Sequence, residues 1–382
     1  MEIDVAKVRH ETPGCARVAH LNNAGAALPP SPVIEAVAQH LELEAMTGGY
    51  EAAEENQAAI ERFYDAVAGL IGARRDEIAY VENATRAWDM AFYGIRFAPG
   101  ERVLTTTSEY SSNAIAYRQR GVRVDVVPDG PDGTIDLDAL DTELRRGGVR
   151  LVSLNHVPTS NGLVNPVADV GRLCRAAGAL FLLDACQSVG QLPVDVGEIG
   201  CDLLSSTGRK YLRGPRGTGF LYARRDVLSE IEPPFLDNAA ADWHAPDRYE
   251  IRPDARRYET WERYVAGQIG LGVAADYATR LGIDAITARI DVLASRLRAE
   301  LASRPGVTVH DRGVLRAGIV TFTVDGRTPA EIVKAARARD VNVNVSEPRG
   351  HGYDPDAEEA VVRASVHYYN DEEEIERLLS VL

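Results

Sequence analysis

The sequence predicts an α/β protein with a large, mainly parallel sheet covered by helices on both faces, followed by a smaller α+β unit. Three observations carry this. Between residues 78 and 222, short β-rich apolar runs alternate with helical stretches, the pattern of successive βαβ crossovers. At 382 residues with 45% hydrophobic content, the chain is long enough for about two domains and supplies a large core without disulfide or metal staples. After Pro233, Pro234 and the mixed stretch 236–258, the pattern changes to long helices between isolated strands. The expected division is an N-terminal arm over 1–18 packing with the small unit, a large domain over 19–255 and a small C-terminal α+β domain over 256–382.

The elements follow in order. Ile34, Val37, Leu41 and Ala45 keep helical spacing from residue 31 to about residue 46, behind Ser31 as N-cap and Pro32 at the first helical position. Strands are expected at Ile78–Val81, Val103–Thr106, Val122–Val127, Arg150–Val157, Leu180–Asp184, Asp202–Ser205 and Gly219–Tyr222. The clearest crossover runs from Leu151–Asn155, through a helix near Val167–Ala177 closed by Gly178, to Leu180–Asp184. It places His156–Gly162 and Asp184–Gln187 together at the carboxyl edge of the sheet, where ligands bind in such folds. In the C-terminal unit one helix carries Ile286, Ile290, Leu293, Leu297 and Leu301 on one face. Strands near Val307–His310 and Gly318–Val324 come next, then a helix opened by the capping box Thr328–Glu331. A last strand, Val361–Val366, precedes a helix started by Asn370.

Net charge separates the partner classes. Forty-two Lys and Arg against 57 Asp and Glu give −15, with no basic cluster, which disfavours nucleic acid and anionic membrane and favours a small molecule. Cys15, Cys174, Cys186 and Cys201 show no C-x-x-C spacing and read as free thiols of a reducing compartment. Residues 1–15 are charged throughout and no run approaches 18 apolar residues, so a cytoplasmic address is expected. The eight scattered histidines give no ligand spacing, and no metal is expected.

Lysine is the informative residue. Only Lys7, Lys210 and Lys334 occur, leaving 39 of the 42 basic residues as arginine. A guanidinium keeps its proton, whereas a buried ammonium loses it and becomes a nucleophile or base. Lys210 follows a strand at the same sheet edge as Asp184, and is either this amine or a solvated loop lysine. Asp184 ends the apolar run Leu180–Leu183, where an ionised carboxylate needs a cation such as a protonated pyridine nitrogen; the alternative is a cap on the following helix. Gln187 offers an amide donor beside the same ring. Glu82–Arg86 lies between a strand and an amphipathic stretch, so its helix N-terminus is a phosphate site or simply a capped end. Gly214–Gly219 lacks the P-loop pattern and reads as a turn, and no G-x-G-x-x-G supports a nicotinamide dehydrogenase.

In order along the chain stand His20-Leu21-Asn22-Asn23-Ala24-Gly25, Asn83-Ala84-Thr85, Glu109-Tyr110-Ser111-Ser112-Asn113, His156-Val157-Pro158-Thr159, Asp184-Ala185-Cys186-Gln187, Thr207-Gly208-Arg209-Lys210 and Arg363–Asn370. With these motifs the chain resembles the class V aminotransferase family of pyridoxal-phosphate (PLP) enzymes, in its branch of cysteine desulfurases, selenocysteine lyases and isopenicillin N epimerase-like proteins. The resemblance implies the fold type I of PLP-dependent transferases, a homodimer with its site at the subunit interface, and PLP held by Lys210 as a Schiff base. Asp184 would then keep the ring nitrogen protonated, and Gln187 and Thr159 would address the ring hydroxyl oxygen. Ala84, Thr85, Thr207 and Arg209 would surround the phosphate, Tyr110 would stack on the ring, and Arg363 would pair with the substrate carboxylate. Asn23, Ala24 and Trp261 complete the expected substrate site.

Three departures from the family pattern matter. Tyr110 stands where members usually stack a histidine, and Trp261 where desulfurases have glycine, which would narrow the pocket. Ser346–Glu359 contains no cysteine, so the persulfide that desulfurases form on that loop is chemically impossible here. The resemblance therefore implies proton removal at an amino-acid Cα by Lys210, with a C–S lyase outcome expected. An aminotransferase, an epimerase-like racemase and a non-catalytic PLP-binding protein are the alternatives.

Overall fold

The computed structural model describes residues 3–347, 353 and 359–382. A seven-stranded sheet runs in the order Ile78–Val81, Gly219–Ala223, Leu203–Thr207, Leu180–Asp184, Val149–Asn155, Arg102–Thr106, Arg123–Val127. Gly219–Ala223 is antiparallel to both neighbours; the remaining pairings are parallel. Each predicted strand of this sheet is present, with no end moved by more than two residues. Most of its strand residues are wholly buried, as apolar runs covered on both faces require. One core contains Val152, Leu154, Phe181, Leu183 and Leu204, and the other Leu151, Leu182, Leu203, Trp88 and Phe92.

The crossover helix Val167–Ala177 ends as predicted at Gly178, whose φ of 68° lets the chain turn back into the next strand. Gly219 answers a different need. A Cβ there would lie 2.7 Å from the Ser206 carbonyl and 2.9 Å from the backbone of Asn83, so its absence lets three strand ends converge beside residue 83.

In the C-terminal part, a four-stranded antiparallel sheet runs Val307–Val309, Ile319–Val324, Val361–Ser365, Asn344–Ser346. The helix Ile283–Ala302 buries the five predicted residues Ile286, Ile290, Leu293, Leu297 and Leu301, and Thr328 and Glu331 form the predicted capping box. Residues of the N-terminal arm reach this part: Arg9 pairs with Asp371 at 3.0 Å and Glu374 at 3.2 Å. Ala19–His20 pairs in parallel with Val341–Asn342. Among the described residues no helix is long and apolar enough to cross a membrane.

Three local expectations are corrected. The helix Ser31–Thr47 has Pro30, not Ser31, at its N-cap, because Ser31 is already helical and its N–H donates to the Glu11 carbonyl at 2.7 Å. Its buried residues are Val33 and His40, while Ile34 and Leu41 are 45% and 44% exposed. Val37 lies on the packed face, where a Cβ on Gly270 would come within 2.6 Å of it, so glycine lets the two helices close. The last helix, Glu372–Leu379, is capped by Asp371, whose carboxylate accepts from the Glu374 N–H. Asn370 is instead wholly buried, accepting from the His367 N–H at 2.7 Å and donating to Glu374 at 2.7 Å. The mixed stretch 236–258 contains a hairpin, Ala241–Ala245 with Arg248–Ile251, which its polar sequence does not announce.

Candidate active site

Five strands of the large sheet deliver their carboxyl ends to one cavity of about 420 Å³, lined among others by Ala84, Thr85, Tyr110, Asn155, Thr159, Asp184, Cys186, Gln187, Thr207, Arg209 and Lys210. Nine of the sequence-selected residues thus meet, from segments up to 126 positions apart in sequence (84 to 210). The cause is topological: every strand of the sheet but Gly219–Ala223 runs in the same direction, so the loops that follow those strands open at one edge.

Lys210 is half-buried on the cavity wall. Burial lowers its pKa from the ordinary value, opposed by Cys186 and Asp184 and reinforced by the Arg209 and Arg363 charges. Its amine has no hydrogen-bond or ion-pair partner among the described residues, as a group reserved for a ligand requires.

Asp184 is 8% exposed, and its Oδ1 accepts the Cys186 N–H at 2.9 Å. Residues 185–190 form turns, not a helix, so the capping alternative does not apply. Gln187 Nε2 donates to the Ala24 carbonyl at 3.2 Å and to Thr159 Oγ1 at 3.1 Å. Its Oε1 is buried without a partner, so the free atom is an acceptor where the sequence suggested a donor.

Ala84–Gly94 is a helix capped by Asn83, whose side chain accepts the Arg86 N–H at 2.9 Å. The N–H groups of its first turn face the cavity end of the helix and favour an anion. Arg209 lines the same cavity, its guanidinium donating to the Gly25 carbonyl, and Thr207 Oγ1 donates to the Thr218 carbonyl at 3.3 Å.

Arg363 is 7% exposed and donates from NH1 to Thr159 O at 3.0 Å and Thr159 Oγ1 at 2.8 Å. Its Nε is buried without a partner, and burial, helped by the Arg209 charge, lowers its pKa from the usual value.

Asn23 and Trp261 sit elsewhere. The Asn23 side chain is wholly buried, donating to the Ser365 carbonyl at 2.7 Å and accepting from Tyr369 OH at 2.5 Å. Ala24 reaches the site through its backbone, as the acceptor for Gln187. Trp261 is 57% exposed, away from the cavity wall, with its N–H donating to Asp237 at 2.7 Å.

Two residues were missed. Asn155 ends its strand in register with Asp184 and lines the cavity; the argument that singled out Asp184, a polar residue closing an apolar run, also identifies it. Glu109 is wholly buried beneath the wall. Its carboxylate accepts from Thr105 Oγ1 at 2.7 Å, the Tyr110 N–H at 2.7 Å, Tyr117 OH at 2.8 Å and Asn113 at 2.9 Å.

Burial raises the Glu109 pKa from 4.5 to about 7 despite these donors. A folded value above the unfolded one means the native state holds the extra proton between those limits, so stability falls as pH rises from about 4.5 to about 7. Glu109→Gln is expected to flatten that part of a stability-against-pH curve by roughly 3 kcal/mol, read by urea unfolding at a series of pH values. An unchanged slope contradicts the assignment.

A larger groove of about 1040 Å³ runs between His156 and the helix bearing Asp284 and Arg298. None of the residues expected to hold cofactor or substrate lines it, and no lysine is among its lining residues.

The chain is similar to known proteins over nearly its whole length. It is 31% identical over 385 residues to a probable cysteine desulfurase of Methanothermobacter thermautotrophicus, covering 97% of this chain and 95% of that one. It is 30% identical over 409 residues to probable cysteine desulfurase 2 of Mycobacterium leprae, covering 99% and 96%. Among solved structures, the apo cysteine desulfurase of Thermococcus onnurineus matches with a TM-score of 0.92 at 27% identity, over 100% of this chain and 97% of that one. The cystine C–S lyase C-DES, solved with its reaction product cysteine persulfide, matches with a TM-score of 0.86 at 25% identity, over 97% and 98%. A second C-DES structure, a K223A mutant, holds glycine covalently linked to its PLP cofactor, with a TM-score of 0.87 at 25% identity over 97% and 98%. The aminotransferase class-V profile matches residues 19–378, and the chain belongs to that family.

Proposed function

We propose that this chain is a PLP-dependent C–S lyase that eliminates the sulfur substituent of an L-amino acid such as cystine, and forms no persulfide on its own loop. The observation that carries this reading is the placement of its cysteines: all four lie at or before residue 201, and none occurs in 346–359. Of that loop only residues 346, 347, 353 and 359 are described, so its geometry lies outside them. The likeness to the cystine lyase supports the same outcome.

The cavity residues suit PLP by the chemistry of their donors. A helix N-terminus with a nearby guanidinium fits a phosphate, a carboxylate at a strand end fits a ring nitrogen, and an unpartnered amine fits an aldehyde. The orphaned Gln187 Oε1 fits a ring hydroxyl. Ala84, Thr85, Thr207 and Arg209 would hold the phosphate, Asp184, Gln187, Thr159 and Tyr110 the ring, and Lys210 the aldehyde carbon. When bound, PLP supplies an electron sink for the substrate Cα.

The residues of the chain supply binding and proton movement. Arg363 fixes the substrate carboxylate, which sets which Cα bond faces the sink. The Lys210 amine, its proton affinity lowered by burial, takes the Cα proton at Nζ. Tyr110, standing where the family usually has a histidine, would hold its ring against one face. The exposed Trp243 and Trp261, at 70% and 57%, support a homodimer that covers them.

Supplying L-cystine to the PLP-loaded protein tests the reading. Pyruvate and persulfide are expected in equal amounts, and Cys186→Ser is expected to keep at least about half the rate, because no thiol of the chain accepts sulfur. Alanine as the carbon product, or keto acid formed without sulfur release, overturns it.

A further inference from the structure

Arg213 is one of only two non-glycine residues with positive φ among the described residues, at 60°, and its side chain is 1% exposed. A wholly buried guanidinium normally meets a carboxylate; this one meets none among the described residues. It donates instead through Nε to the Leu28 carbonyl at 2.8 Å, through NH1 to Tyr368 OH at 2.6 Å and through NH2 to Thr12 Oγ1 at 2.6 Å. It also lies over the Tyr369 ring, 4.4 Å from its centroid, and 5.1 Å from that of Tyr368.

These contacts join three separated pieces of chain at a chosen place. The Arg213 N–H donates to the Lys210 carbonyl at 2.9 Å, closing the turn that follows the lysine. Tyr211 O meets His367 Nε2 at 3.0 Å, and Arg209 O accepts the Ala27 N–H at 2.8 Å. Lys210 is therefore bracketed on one side by residues 25–28 and on the other by 367–369. The latter segment directly follows the strand Val361–Ser365, which carries Arg363.

Stability alone does not account for such a group. Burying a charge without a counter-charge is costly, and an apolar side chain of similar volume generally does the packing as well or better. What an apolar chain cannot do is direct hydrogen bonds to three different segments at once, with the backbone held in a left-handed turn. We infer that Arg213 is a positioning residue that locks the turn bearing Lys210 to the N-terminal arm and to the chain end beyond Arg363, so that the amine and the carboxylate-binding guanidinium keep a fixed relation across the cavity.

The inference rests on the roles proposed above for Lys210 and Arg363, and the experiment keeps the two apart. Full-length parent, Arg213→Met and Arg213→Lys are loaded with PLP. Three quantities are compared: kcat and KM for the amino acid, the pH midpoint of the bound-cofactor absorbance, and the fraction of Lys210 fixed to the cofactor by borohydride. A displacement of about 1 Å at a reacting group lowers turnover about 10²-fold. Arg213→Met is therefore expected to lose about that much in kcat with KM within about threefold, to shift the absorbance midpoint, and to fix Lys210 less completely. Folded Arg213→Met with all three quantities at parent values overturns the inference, since a purely structural role moves unfolding temperature and none of these. If that variant does not fold, Arg213→Lys decides: it keeps the charge and volume but has a single donor centre, and no more than about a tenth of parental kcat is expected, parental kcat being the contrary result. Absence of any Lys210 fixation in the parent itself overturns the Lys210 role, and with it this inference.

Discussion

Replacing Lys210 with alanine is expected to lower turnover by at least about 10³-fold, the upper range for the role proposed for it, a positioned proton-transfer group that also holds the cofactor. The fold should survive, because the amine makes no hydrogen bond or ion pair among the described residues that the substitution would break. Nothing else on the cavity wall substitutes for it. Burial and the adjacent Asp184 push the Cys186 thiol far above its ordinary value, and the Arg209 guanidinium keeps its proton. Lys210→Arg is accordingly expected to be as inactive as Lys210→Ala. Far-UV circular dichroism with steady-state rates checks both; either variant within tenfold of parent contradicts the assignment.

Arg363→Ala is expected to lower kcat/KM for the amino acid by about 10²-fold, from loss of two charge-assisted hydrogen bonds to its carboxylate. The loss should be smaller for a substrate whose carboxylate is amidated, since that substrate forfeits the same bonds in the parent enzyme. Arg363 also donates twice to Thr159, which in turn accepts from Gln187. Removing the guanidinium therefore loosens two residues of the cavity wall, and some fall in kcat should accompany the rise in KM. An equal loss on the amidated and free substrates contradicts carboxylate pairing.

The large sheet was readable because its strands are buried on both faces and appear as uninterrupted apolar runs between turn residues. Cavity residues such as Asp184 and Lys210 stood out for a related reason: each is a polar or ionisable group where a buried strand ends. The face of the helix Ser31–Thr47 was not readable, since its apolar residues occupy two sides and only its glycine-containing neighbour decides which is buried. Asn23, expected among the substrate residues, has its side chain engaged by the Ser365 carbonyl and Tyr369, partners that a motif asparagine does not announce. Arg213 was not legible, and Glu109 entered only as part of a motif. Arg213 depends on partners far apart in sequence, Thr12 and Tyr368, which no local pattern joins; Glu109 takes four donors from within eight residues, and its burial is what the sequence does not announce.

Because the chain contains three lysines, Lys7, Lys210 and Lys334, one measurement addresses the central claim directly. The protein is loaded with PLP, reduced with borohydride, digested, and its peptides are weighed. The pyridoxyl mass is expected on the peptide containing Lys210 and on neither of the others; a label on Lys7 or Lys334, or on no lysine, contradicts the account.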